Sequence, residues 1–231
     1  MTDDGTAAPR PFDRLRILAI QDVEVAPGIR HVEVYTLDGL LTLLWHGPPS
    51  PPAGVALFCG GAMGGLLGPA QGLFHDLGVA LAAQGMGAVR VSYRRPNDLP
   101  SCVLDVLAAA DLAQRTGSKR FVTVGHSFGG AVAISAGAAL GDATRGVVTL
   151  ATQSAGCETA ISLRDVPLLL IHGEHDEILP VAASEAVRQL AGSRAELVVL
   201  PGTGHLLLGL GVEQDLRSRL LEWIPRQLAG H

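Results

Sequence analysis

Three short segments of this chain carry residue types that together perform nucleophilic acyl transfer. The first, Gly125-His126-Ser127-Phe128-Gly129-Gly130, follows the apolar run Phe121-Val122-Thr123-Val124 and opens a stretch rich in Ala, Val and Ile. A nucleophile on a sharp strand-to-helix turn needs small flanking residues, because the backbone there leaves no room for a β-carbon. Gly125 and Gly129 meet that need, and the helix N-terminus beneath Ser127 favours developing negative charge. A serine hydroxyl is a weak nucleophile and requires a neutral imidazole within reach, itself oriented by a carboxylate. Downstream, Leu168-Leu169-Leu170-Ile171 runs into His172-Gly173-Glu174-His175-Asp176-Glu177-Ile178-Leu179-Pro180, and Val198-Val199-Leu200 runs into Pro201-Gly202-Thr203-Gly204-His205. Taken singly, these segments also read as a glycine turn, a solvated loop acid (with Glu174 and Glu177 as rivals of Asp176) and a loop histidine. Each lies just past an apolar run, and that shared placement favours the chemical reading.

Such residues meet only if the intervening elements carry them to one place. Turn signals at Pro27-Gly28 and Asp38-Gly39 divide an opening group of strands, expected to be antiparallel, over Arg14 to Val25, His31 to Thr36 and Leu40 to His46. The Pro-rich Gly47 to Gly54 cannot continue a ladder and reads as a surface turn. Beyond it, strands over Val55 to Cys59, Ala88 to Tyr93, Arg120 to Val124, Gly146 to Ala151, Pro167 to Ile171 and Glu196 to Leu200 alternate with helices. The helices cover Gly72 to Gln84, Ser101 to Arg115 with Ser101 as N-cap, Phe128 to Leu140, Val181 to Leu190 and Val212 to Gln227. Continuous apolar strands alternating with helices predict an α/β fold: a mostly parallel, doubly wound sheet with helices on both faces. Ligands of such sheets bind at the carboxyl ends of the strands, where Ser127, Asp176 and His205 fall. Residues 1–13 read as a flexible tail, and residues 14–231 as one domain with no cap domain.

On these motifs the chain resembles the α/β-hydrolase superfamily from about Val55 onward. Gly125-x-Ser127-x-Gly129 is similar to its nucleophile elbow, His172-Gly173-x-x-Asp176-x-x-x-Pro180 to its acid loop, and Gly202-Thr203-Gly204-His205 to its histidine loop. The resemblance implies Ser127 as nucleophile, His205 as general base and then acid, and Asp176 as the orienting carboxylate. It also implies an oxyanion hole, with one donor from the Phe128 amide. The second donor should come from Gly60 to Gly65, where glycines permit inward-facing amides, with Gly61 or Ala62 expected. The family usually carries His-Gly here, whereas this chain has Cys59-Gly60. Met63 is expected to line an acyl pocket and His126 to bind substrate, while a neutral structural role fits His126 and His75 equally well. Arg94 and Arg95 fit either a substrate carboxylate or a loop anchor.

Other readings of the same residues are weaker. The 60–65 segment lacks the G-x-G-x-x-G spacing, and no phosphate-binding G-x-x-x-x-G-K-[ST] occurs, so no nucleotide cofactor is expected. His172, Glu174, His175 and Asp176 are read as packing and not as a metal site. Cys59, Cys102 and Cys157 are odd in number and widely spaced, which suits buried thiols in a reducing compartment. Net charge is −5 with no basic stripe, and charged residues make up 17%, so neither nucleic acid nor an anionic membrane is an expected partner. The first residues lack the apolar core of a signal peptide, which leaves a cytoplasmic location as the default. The sequence specifies no oligomeric state. Thr152 to Val166 is too short for a helical lid, which predicts a shallow cleft and a small or short-acyl ester or thioester. An acyltransferase, a peroxidase- or lyase-type relative, or a non-catalytic ligand-binding protein would share much of this pattern.

Overall fold

The computed structural model describes residues 8–47, 52 and 54–229. Its nine strands are β1 (Ile17–Ala26), β2 (Ile29–Thr36), β3 (Gly39–His46), β4 (Gly54–Cys59), β5 (Gly87–Ser92), β6 (Arg120–His126), β7 (Thr144–Leu150), β8 (Leu168–Gly173) and β9 (Ala195–Leu200). They form one sheet in the order β1-β2-β3-β5-β4-β6-β7-β8-β9. The pairs β1–β2, β2–β3 and β3–β5 are antiparallel, and every pair from β5–β4 to β8–β9 is parallel. This is the doubly wound α/β architecture with antiparallel opening strands that the sequence predicts.

The apolar runs become central strands because both of their faces are covered. All residues of β4 and β8 are buried, and alternate side chains of each strand enter different cores. Leu57, Phe121, Val147 and Leu170 pack under helices α2 (Leu99–Arg115) and α3 (Phe128–Leu140). Phe58, Val122, Val124 and Ile171 pack under α1 (Leu73–Ala83) and α5 (Val212–Ala229). α4 (Val181–Ala191) lies against β8 and β9. Among the described residues, no helix is long and apolar enough to cross a membrane.

Most element starts shift by one or two residues from the sequence reading, and those of α2 and β1 have a cause in their contacts. α2 begins at Leu99, not Ser101, because the N-cap is Asp98, whose Oδ1 accepts from the Ser101 amide at 3.1 Å. Leu99-Pro100 then occupies the first turn, where proline's missing N–H costs nothing. β1 begins at Ile17, not Arg14, because Phe12–Leu15 forms a 3₁₀ turn that buries Phe12 and Leu15. The Phe12 amide donates to Asp111 of α2 at 3.2 Å, so ordered chain starts before Asp13. Most of the expected tail (1–7) and most of the Pro-rich turn (48–51 and 53) lie outside the described residues. Between β7 and β8 the chain makes only a 3₁₀ turn over Glu158–Leu163.

Candidate active site

Parallel register sets the site. Cys59 pairs with Gly125, His126 with Leu150, and Gly173 with Leu200, so the ends of β4, β6, β7, β8 and β9 lie along one edge of the sheet. β6 extends to His126, and the next residue, Ser127, adopts φ 56° and ψ −122° before α3 begins. A positive φ is costly for a residue with a β-carbon, and such strain persists where the surroundings hold it. Here the Ser127 amide donates to the Leu150 carbonyl at 2.9 Å, and Ser127 O accepts from Gly130 at 2.9 Å. The flanking glycines are sterically required. A β-carbon on Gly125 would overlap the Gly129 carbonyl, and one on Gly129 would overlap the carbonyls of Cys59 and Gly60.

The acid and histidine loops are tied together by their backbones. Glu174 N–H donates to Leu200 O at 3.0 Å, His175 N–H to Thr203 O at 2.8 Å, and Gly202 N–H to the Glu174 carboxylate at 2.9 Å. This brings His205 Nδ1 within 2.8 Å of Asp176 Oδ2. The other oxygen of Asp176, Oδ1, accepts from the amides of Ile178 at 2.9 Å and Leu179 at 2.8 Å. Burial pushes the Asp176 pKa up, but hydrogen bonds from Leu179, His205 and Ile178 outweigh it, and the carboxyl is held below its ordinary value. The rival carboxylates serve elsewhere: Glu174 accepts from Gly202, and Glu177 accepts from the His205 amide at 3.3 Å.

Ser127 and His205 line one cleft of about 520 Å³ together with Gly60 to Gly68, His126, Ile178 and Leu206. No hydrogen bond joins the Ser127 hydroxyl to His205 among the described residues. Nucleophile–base contacts are commonly loose without substrate and tighten when it binds. His126 is buried; its Nε2–H donates to the His205 carbonyl at 3.0 Å, and the two rings lie 4.9 Å apart. Burial lowers its pKa to about 4, so this ring is neutral across the physiological range. The second histidine, His75, for which the cleft and a structural role are equal readings in the sequence, is exposed on α1 and stacks edge-on with His46 at 5.8 Å, away from the cleft lining. The spacing of α1 alone could not show which way that ring turns.

Gly61 and Ala62 open a tight turn in which Gly64 N–H returns to Gly61 O at 2.8 Å. Gly61 bridges back to Gly64 across this turn, and Gly61 and Ala62 both line the cleft beside Ser127. The Phe128 amide opens α3, where no carbonyl lies four residues back in the helix to accept it. Met63 stands at the rim, 93% exposed. Tyr93, which the sequence reading places only at a strand end, donates to Gly60 O at 3.1 Å and pins the start of this loop.

Several alternative roles end here. Cys59 is fully buried at the end of β4, and burial pushes its thiol far above the ordinary range, so it is no rival nucleophile. Cys102 and Cys157 are also free and buried. Arg94 is buried against Asp105 and Arg95 pairs with Asp38 at 3.2 Å, so both anchor loops and neither reaches the cleft. His172 is buried whereas His175 is 70% exposed, so the histidines of this loop do not converge on one point.

A sheet of this order, with a strained serine above β6 and an acid–histidine pair on the loops after β8 and β9, defines an α/β-hydrolase architecture. A family model described as the alpha/beta hydrolase family matches residues 73–215, more than half of the sequence. The chain belongs to that family. Solved structures agree on the fold. Dienelactone hydrolase from Anabaena variabilis aligns with a TM-score of 0.71 at 19% identity, over 90% of this chain and 98% of the other. Est1E from Butyrivibrio proteoclasticus gives 0.68 at 17% identity, over 86% and 99%. A monoacylglycerol lipase from Paleococcus ferrophilus gives 0.63 at 14% identity, over 81% and 99%. No curated protein sequence matches significantly.

Proposed function

We propose that this protein is a serine hydrolase that cleaves a carboxylic ester or thioester of a small or short-acyl substrate through an acyl-enzyme. The observation that carries this reading is the 2.8 Å Asp176–His205 hydrogen bond in the wall of the cleft that also holds Ser127. In this reading Ser127 Oγ attacks the substrate carbonyl while its proton passes to His205 Nε2, and Asp176 stabilises the resulting imidazolium. The tetrahedral oxyanion is held by the Phe128 amide and by Gly61 or Ala62. Collapse expels the alcohol or thiol, which takes the proton from His205. Water, deprotonated by the same imidazole, then hydrolyses the acyl-Ser127 ester and regenerates the enzyme.

The substrate class rests on the cleft. Leu66, Leu67, Ile178 and Leu206 line it, and among the described residues no charged side chain does so apart from what His205 acquires in turnover. This lining suits an apolar, uncharged acyl group. The short β7–β8 connection leaves no helical cap to enclose a long chain. Dienelactone hydrolase and a monoacylglycerol lipase on the same fold act on carboxylic esters by their names, which agrees in class. A fluorophosphonate probe should label the wild type and not Ser127→Ala, and p-nitrophenyl esters should lose kcat/KM beyond short acyl chains. Equal labelling of both proteins would defeat the assignment of Ser127. Rising activity up to long acyl chains would defeat the substrate class.

A further inference from the structure

One buried group beside the acid loop has no part in the reading above. His172 closes β8 next to Gly173, and its side chain is fully buried. Nε2 lies 3.0 Å from the Leu179 carbonyl and 3.2 Å from Asp176 Oδ2, while Nδ1 lies 2.7 Å from Ser184 Oγ on α4. Chemistry fixes the tautomer. Leu179 O and the Asp176 carboxylate only accept, so the proton must sit on Nε2, and Nδ1 then accepts from the Ser184 hydroxyl. Leu179 is held from both sides: its carbonyl takes the His172 N–H, and its amide donates to Asp176 Oδ1 at 2.8 Å. A core histidine needs one partner for each nitrogen. This one also places its N–H edge against the carboxylate oxygen that His205 uses.

We propose that His172, locked by Ser184, is a positioning residue that sets the orientation and charge distribution of Asp176, and through it the basicity of His205. The inference rests on the triad reading of Asp176 and His205. The Nε2–H dipole near Oδ2 draws off part of the carboxylate charge that would otherwise hold imidazolium at His205. The other groups facing this cluster are His126, stacked on His205, and Glu177, which accepts from the His205 amide. Neither hydrogen-bonds to His172 among the described residues, although His172 lies close enough to His126 to act on it electrostatically.

The test compares wild type, His172→Phe, His172→Gln and Ser184→Ala on a short p-nitrophenyl ester, with circular dichroism to confirm folding. His172→Phe keeps the ring volume and removes both nitrogens. His172→Gln returns an N–H donor near the place of Nε2. We expect kcat to fall about tenfold in His172→Phe with KM little changed, because the Leu179 carbonyl loses its donor and Oδ2 loses the N–H dipole 3.2 Å away. The acid limb of its pH–rate profile should move upward, because the N–H dipole beside Oδ2 is gone. His172→Gln should recover most of the lost rate, and Ser184→Ala should shift the limb in the same direction by less. A folded His172→Phe with wild-type kcat, or a lowered kcat with an unmoved acid limb, overturns the proposal. If His172→Phe does not fold, Ser184→Ala decides on the same two readings. An inactive wild type that the fluorophosphonate fails to label would instead defeat the serine-hydrolase reading itself.

Discussion

Replacing Asp176 with Asn tests the site most sharply, because the structure dictates what the amide must do. Asp176 Oδ1 accepts two backbone N–H groups, from Ile178 and Leu179. An asparagine can satisfy them only with its carbonyl oxygen, so its NH₂ is forced into the place of Oδ2, 2.8 Å from His205 Nδ1. Facing a donor, Nδ1 must become an acceptor and the ring proton must move to Nε2. That nitrogen is the one that has to take the Ser127 proton. The same substitution in a serine-protease triad, acting through the wrong tautomer, lowers kcat about 10⁴-fold, near 5.4 kcal/mol of barrier. The imprint should be similar here, on the order of 10³- to 10⁴-fold in kcat at pH 7 with KM nearly unchanged. Stopped-flow hydrolysis of p-nitrophenyl acetate, with the burst amplitude reporting acylation, measures it directly. Asp176→Asn acting within tenfold of wild type, while folded, would refute the claim that this carboxylate sets the His205 tautomer.

Two further outcomes follow from burial. His46 and His126 both have folded pKa values lowered to about 4 from the ordinary 6.5, chiefly by burial. Below pH 6.5 the unfolded chain takes up protons that these buried rings refuse, so stability should be complete above 6.5 and decline as pH falls toward 4. Each ring accounts for a loss on the order of 3 kcal/mol across that window. Urea midpoints measured from pH 7.5 to 4.5 should fall accordingly and fall less steeply in His126→Gln; an identical slope in that variant would count against burial of a neutral ring. Gly129→Ala should destabilise the fold by about 2–4 kcal/mol or more, since its β-carbon meets the backbone carbonyls of Cys59 and Gly60 and no flexible side chain can yield. A thermal midpoint within a degree or two of wild type would show that the elbow relaxes more easily than its packing implies.

The elements that the sequence made legible are those where one physical cause acts alone. β4, β6 and β8 read as apolar runs because they are buried on both faces, and α3 begins and ends where expected because the elbow glycine and Gly141 bound it. The elbow, acid loop and histidine loop were visible as types and order along the chain. What stayed out of sight needed two distant pieces at once. Asp98 captures the helix start because Pro100 makes the first turn free of a donor, and local propensity for Ser101 gave no hint of that competition. Phe12 lies in a stretch that reads as a polar tail and Leu15 in one that reads as a strand, yet their three-residue spacing sets both against α2, a contact made across about a hundred residues. His75 faces away from the cleft, and Arg94 is consumed by Asp105, for the same reason: a side chain's role is fixed by the face its element presents, which periodicity shows only when the partner is known. His172 is the sharpest instance. In sequence it is one more histidine in a motif. Its tautomer is decided by a serine twelve residues on and a carbonyl seven residues on, and that tautomer, not the residue type, is what acts on Asp176.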